Sequence, residues 1–262
     1  MSKTILMIHG MWGGSWCWDR FKAYFENRGY TCIAPDLRHH DIPPKDPPPP
    51  GLGTTSLLDY AKDLEQTIKE LDETPFVFGH SMGGLLAQIL AGRGLAEAAV
   101  LITPAPPAGV VALSWSMVKS FSEIFLTWKF WQSPHRISFK TAEYAVFNRL
   151  PAADRKYVYS KMVWESGRAA AEICLWMLGV RGAQVDASSL TCPVLVVSGS
   201  EDHITPVKVG RKIADKYKPH AAFLELEGYD HWMLDGPGWE KPADCIHNWL
   251  HTCDPGFKTS DP

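Results

Sequence analysis

Residues 76–86 read Phe76-Val77-Phe78-Gly79-His80-Ser81-Met82-Gly83-Gly84-Leu85-Leu86, and the order of residue types along them decides the fold. A short apolar strand runs into a Gly-x-Ser-x-Gly turn, and a helical pattern opens at Met82 and continues to Arg93. A strand-to-helix turn this tight strains the serine backbone and lifts its hydroxyl above the strand end. Glycines two before and two after the serine remove side chains that would collide there. Ser81 is therefore the candidate nucleophile; the plain alternative is a glycine-rich turn before a helix.

Working outward from this turn, apolar runs recur at Thr4–His9, Thr31–Ala34, Pro75–Gly79, Ala98–Thr103, Pro193–Gly199 and Ala221–Leu226. Most are continuously apolar, as expected of parallel strands covered on both faces. Leu57, Ala61, Leu64, Ile68 and Leu71 follow the spacing of an amphipathic helix, and Val207–Tyr217 and Trp239–His251 read the same way. Alternating strands and helices predict an α/β fold, with one doubly wound, mostly parallel sheet. The stretch between Thr103 and Pro193 interrupts the alternation. It reads as almost wholly helical, in pieces at Trp115–Trp131, Lys140–Leu150, Ala153–Trp164 and Arg168–Leu178. The expected organisation is a core of residues 1–103 and 192–262 with a helical cap, 104–191, inserted in it. The proline-rich run Pro43–Gly51 is expected as an extended surface loop.

The chain has 262 residues, 45% hydrophobic and 21% charged, with a net charge of −3. Its lysines and arginines are scattered, which gives no reason to expect nucleic acid or a membrane surface as partner. No run is apolar for long enough to span a bilayer or resemble a signal peptide, so a cytoplasmic location is expected. The six cysteines lie far apart without zinc spacing; no metal, cofactor or structural disulfide is expected.

A serine hydroxyl needs a base to take its proton and a carboxylate to orient that base. Ten histidines compete. His9 and His80 sit in strand-end turns, where packing or backbone hydrogen bonding is expected. His39, His40, His135 and His220 fall in loops with no strand end behind them. His203 follows the candidate acid directly, and His247 and His251 are expected solvated on the last helix. His231 comes just after the final strand, in Glu227-Gly228-Tyr229-Asp230-His231-Trp232, and is the candidate base. Asp202, in the loop after Val194–Val197, is the candidate acid, with Glu201 as rival and Asp230 as a loop-capping residue. The segment Leu101–Pro107, where an acid one strand earlier would lie, carries no carboxylate. Acyl transfer also needs two backbone N–H groups aimed at the developing oxyanion. Met82 supplies one; the glycine-rich loop His9-Gly10-Met11-Trp12-Gly13-Gly14 supplies the other, assigned to Met11.

Together these motifs give the chain a resemblance to the α/β-hydrolase superfamily over almost its full length. His9–Trp18, Pro35-Asp36-Leu37, Gly79–Gly84, Glu201-Asp202 and Asp230-His231 are similar to methylesterase and hydroxynitrile-lyase relatives. That resemblance implies a cofactor-free triad esterase with a small helical cap. Lyases of the group carry Thr where Gly10 stands and Lys where Trp232 stands, so hydrolysis is the expected reaction. Ser81 also argues against dehalogenases and epoxide hydrolases, which use an aspartate.

Aromatic residues crowd the cap, and a lid over strand ends must line a pocket. Trp115, Phe125 and Trp128 of the cap, with Trp12, His80 and Trp232 of the core, are the candidates for touching substrate. The expected substrate is a small-molecule carboxylic ester of small to medium size with an apolar acid or alcohol group. Perhydrolysis in the manner of cofactor-free haloperoxidases, and carbon–carbon, lactone or thioester hydrolysis, remain open on the same triad. A hydrolase-like ligand-binding receptor is the alternative of a different class. Oligomeric state and natural substrate are not legible here.

Overall fold

The computed structural model describes residues 3–112 and 114–253. Residues 1–2 and 254–262, the outer ends of the expected core, and Leu113 in the expected cap lie outside that description. Six strands, β1 (Thr4–Ile8), β2 (Thr31–Ile33), β3 (Phe76–His80), β4 (Ala98–Ile102), β7 (Val194–Gly199) and β8 (Ala221–Leu226), form one sheet in the order β2-β1-β3-β4-β7-β8. Every pairing is parallel. The core helices are α1 (Asp19–Glu26), α2 (Leu57–Lys69), α3 (Met82–Gly92), α8 (Val207–Lys216) and α9 (Glu240–Cys253).

Successive strand residues face opposite sides, and the two sides pack two apolar layers. Ile5, Met7, Phe76, Phe78 and Val197 join Phe21, Phe25, Ile246 and Leu250 of α1 and α9. Leu6, Ile8, Val77 and Val196 join Leu57, Leu64, Leu85 and Ile213 of α2, α3 and α8. Helices on both faces explain why β1, β3, β4 and β7 are buried at every position. The strand order reverses between β1 and β3, whose following segments leave in opposite directions. A crevice opens at such a switch point, beyond the carboxyl ends of the strands. The loops after β1 and β3 carry Met11 and Ser81, so the topology delivers both to one place.

Between β4 and β7 run α4 (Trp115–Phe125), β5 (Pro134–His135), α5 (Phe139–Ala145), α6 (Ala152–Lys161), β6 (Glu165–Ser166) and α7 (Gly167–Cys174). This inserted segment is not wholly helical: β5 and β6 pair antiparallel. The helix expected to reach Trp131 ends at Phe125, and the chain turns back through Lys129 at φ 55°. It then packs so tightly on Gly167 that any side chain there would collide with the Phe130 and Ser133 carbonyls. The helix expected to reach Trp164 stops at Lys161, because the Val163 N–H is taken by the Trp12 carbonyl at 2.9 Å. The remaining two expected helices are shorter too, α5 ending before Val146 and α7 before Leu175. The proline-rich run is pinned by the inserted segment, with Arg136 and Trp164 donating to the Pro44 and Asp46 carbonyls. Among the described residues no helix is long and apolar enough to cross a membrane.

Candidate active site

Ser81 occupies the junction of β3 and α3 at φ 54° and ψ −118°. Four backbone bonds hold it there: its N–H donates to the Ile102 carbonyl at 3.0 Å, and its carbonyl accepts from Gly84, Leu85 and Ala105 at 2.9, 3.3 and 2.8 Å. The flanking glycines are obligatory for a steric reason. A Cβ at Gly79 would collide with the Gly83 backbone, and one at Gly83 with the Ile8 carbonyl. Among the described residues, neither the Met82 N–H at the start of α3 nor the Met11 N–H has an acceptor in the chain. The first donors of a helix lack intrahelical partners, and Met11 and Met82 line one cavity with Ser81.

His231 and Asp202 are buried, 2% and 4% exposed. His231 Nδ1 donates to Asp202 Oδ2 at 2.8 Å, which leaves Nε2 as its free basic nitrogen. The remaining acceptor capacity of Asp202 is filled by the Ile204 and Thr205 N–H groups at 2.7 and 2.9 Å and by the Thr205 hydroxyl at 2.8 Å. Gly199, ending β7, permits the approach of the two loops, since a side chain there would collide with the Tyr229 carbonyl. Glu201, the rival acid, is exposed. Asp230 caps its loop as expected, accepting from the Trp232 and Arg149 N–H groups at 3.1 and 2.7 Å. His80 Nε2 donates to the His231 carbonyl at 2.8 Å. Burial, reinforced by the neighbouring His231, pushes the pKa of His80 down to about 3, so this donor stays neutral.

Two chambers meet at Ser81 and share Met11, Ser81 and Ile204 as walls. The larger, about 180 Å³, is almost entirely apolar, walled by Met82, Met117, Phe121, Ile173 and Met177 among others. The smaller, about 20 Å³, is walled by His231, Trp12, His80 and Trp232 from the core and by Val146, Phe147, Val158 and Met162 from the inserted segment. Trp12, His80 and Trp232, expected to touch substrate, line this chamber together with Ser81. Trp115 and Trp128 do not: they are 83% and 84% exposed and line neither chamber. Phe125 packs between Phe121 and Phe130 rather than facing a cavity. Helical spacing marks a face of α4 as apolar without telling whether the outermost aromatics cover the core or project past it.

Residues 5–246 match the Alpha/beta hydrolase family. The chain belongs to that family. Among curated relatives, this α/β-hydrolase is 25% identical to methylesterase 7 of Arabidopsis thaliana over 96% of both chains. Among solved structures it superposes on the monoacylglycerol lipase of Paleococcus ferrophilus with a TM-score of 0.71 at 24% identity, covering 96% of this chain and 95% of that one. It superposes on polyneuridine aldehyde esterase with the same score at 16% identity, covering 95% and 100%. The two structures attest the fold; the family and the full-length relative make the α/β-hydrolase an enzyme of esterase type.

One cluster beside this site was missed at the level of sequence. His40, read as a loop residue, is 3% exposed, and its Nε2 lies 3.1 Å from Glu165 Oε2 on β6. Tyr60 and the Ser166 N–H donate to Glu165 Oε1 at 2.9 and 2.6 Å. No local pattern pairs residues 125 positions apart, so nothing in the sequence marked Glu165.

Proposed function

We propose that this α/β-hydrolase cleaves carboxylic esters through an acyl-enzyme on Ser81, with His231 as base and Asp202 orienting it. The observation that carries the reading is the convergence of a strained, half-buried serine at a strand end, a buried histidine–aspartate pair and two unengaged backbone N–H groups where two chambers meet. His231 Nε2 takes the Ser81 proton as Oγ attacks the ester carbonyl, and the Met11 and Met82 N–H groups receive the oxyanion. His231 then returns the proton to the departing alkoxide. A water entering from the same side, deprotonated by His231, releases the acid and restores Ser81. This chemistry calls on no cofactor or metal.

The alkoxide must leave within reach of His231, which lines only the small chamber. That chamber has room for about one small molecule of water or methanol size. The acyl group then lies in the larger apolar chamber. The substrate class this supports is a small-molecule ester of a short alcohol with an apolar acid, in keeping with the methylesterase relative. In this reading residues 104–191 act as a cap on a core of residues 1–103 and 192–262, since they wall both chambers. Cyanohydrin cleavage is disfavoured. A side chain at Gly10 would bring its Cβ to 2.9 Å from Ser81 Cβ, and Trp232 replaces a lysine.

Intact-mass labelling with a fluorophosphonate, wild type against Ser81→Ala, alongside turnover of methyl octanoate, tests the reading. One adduct and turnover in the wild type, both lost in a folded Ser81→Ala protein, are expected. Residual turnover within tenfold would overturn the assignment.

A further inference from the structure

The proposal rests on the Ser81 reading and concerns what aims the Met11 N–H. Gly10 C=O and Met11 N–H belong to one peptide group, and in a trans peptide the two point in opposite directions. Whatever holds the Gly10 oxygen therefore aims the Met11 hydrogen. That oxygen lies 2.8 Å from His9 Nδ1 and 3.3 Å from the Gly13 N–H. The tautomer of His9 is fixed by its other nitrogen: Nε2 accepts from the Leu37 N–H at 3.0 Å, so Nδ1 carries the proton and donates to Gly10. The ring is fully buried. Burial, with His40 adding to it, pushes its pKa to about 3, so no second proton displaces the Leu37 bond.

The His9 ring packs against His40, centroid to centroid 5.0 Å. His40 has both nitrogens on acceptors, Nδ1 on the Arg38 carbonyl at 3.0 Å and Nε2 on Glu165 at 3.1 Å. Glu165 also accepts from Tyr60 and Ser166, and although burial opposes its charge, His40 and these donors hold its pKa below the ordinary value, which favours the carboxylate–imidazolium pair. Burial disfavours charge on His40, but the adjacent Glu165 carboxylate outweighs it and holds the pKa above the ordinary value. Glu165 belongs to the inserted segment, whereas His40, His9 and Gly10 belong to the core.

We infer that His9 is the positioning residue of the oxyanion hole, and that the inserted segment reaches it through Glu165 and His40. Seating of the segment and competence of the hole are then one event: Glu165 locks His40, His40 backs His9, and His9 sets the Gly10–Met11 peptide.

The test is steady-state kinetics on methyl octanoate, with binding of a trifluoromethyl ketone as tetrahedral adduct and of octanoic acid as ground-state ligand. His9→Leu should lower kcat by about 10- to 100-fold with KM within about threefold, and weaken the ketone by the same factor while octanoic acid binding holds. His9→Asn places an amide N–H near the lost Nδ1 and should recover at least about tenfold in kcat over His9→Gln, which cannot. Should His9→Leu fail to fold, that Asn–Gln pair decides the question. Glu165→Gln should lower kcat several-fold. Glu172→Gln, which loosens the same seam where Glu172 holds Ser56, Leu57 and Arg168, should lower Tm with kcat within about threefold. A folded His9→Leu protein with wild-type kcat and ketone affinity, or equal kcat in the Asn and Gln variants, overturns the inference. Wild type with no ester turnover at all would instead fail the Ser81 reading.

Discussion

Holding a non-glycine residue at the φ and ψ of Ser81 costs about 1–3 kcal/mol. The surrounding bonds from Ile102, Gly84, Leu85 and Ala105 over-determine that conformation. Asp202 is over-determined in the same way, with a donor at each lone-pair direction. Replacing it by asparagine puts an NH₂ where only acceptors fit, against either His231 Nδ1–H or the Ile204 and Thr205 N–H groups. Asp202→Asn is expected to lower kcat by about 10³- to 10⁴-fold on methyl octanoate with a modest change in KM. A loss below tenfold would remove Asp202 from the triad. Ser81, Asp202 and His231 were legible in the sequence because each stands in a turn just past an apolar strand, and a parallel sheet gathers such turns at one edge. Glu165 and His40 were not, since their meaning lies in a contact between distant loops.

At the scale of elements, the expectation that His247 is solvated is only half met, since the residue is half-buried. Tyr24, Phe25 and Tyr30, from α1 and the turn after it, surround its ring with centroids 6.2 Å away. Burial first, then His251 and Arg28, lower the His247 pKa to about 4, against the pull of Asp244. The unfolded chain takes up that proton near pH 6.5. Between about pH 6.5 and 4 the unfolded state therefore binds more protons, and stability falls as pH falls. His9 and His80, lowered further by burial to about 3, add to the same trend. His247→Phe, which keeps an aromatic ring in the cage, should reduce the proton uptake on unfolding at pH 5 by up to one. Urea midpoints measured from pH 7 to 4.5 check it, and an unchanged slope would contradict the assignment. Helix spacing located α9 correctly; it could not show that α1 returns to cover the face carrying His247.

For the whole molecule, the proposed ester reading divides the substrate between the two chambers, and the walls of the smaller come in part from the inserted segment. Val158 is 3% exposed and lines that chamber. Val158→Ala removes two methyl groups from the wall, and pocket discrimination of one or two methylenes is worth about 1–3 kcal/mol. The wild type should prefer methyl over butyl octanoate, and Val158→Ala should raise the butyl-to-methyl ratio of kcat/KM by about tenfold. An unaltered ratio would place the alcohol elsewhere. β4 and β7 are hydrogen-bonded neighbours, Ala99 beside Val194, although the entire inserted segment lies between them. The excursion begins and ends at one seam of the sheet, and the entropy of closing a loop grows only slowly with its length. A change in its length is therefore expected to leave the registered strands in place. The sheet can thus keep its register while the pocket above it changes, and the contact of Glu165 with His40 is what ties such a change to the chemistry.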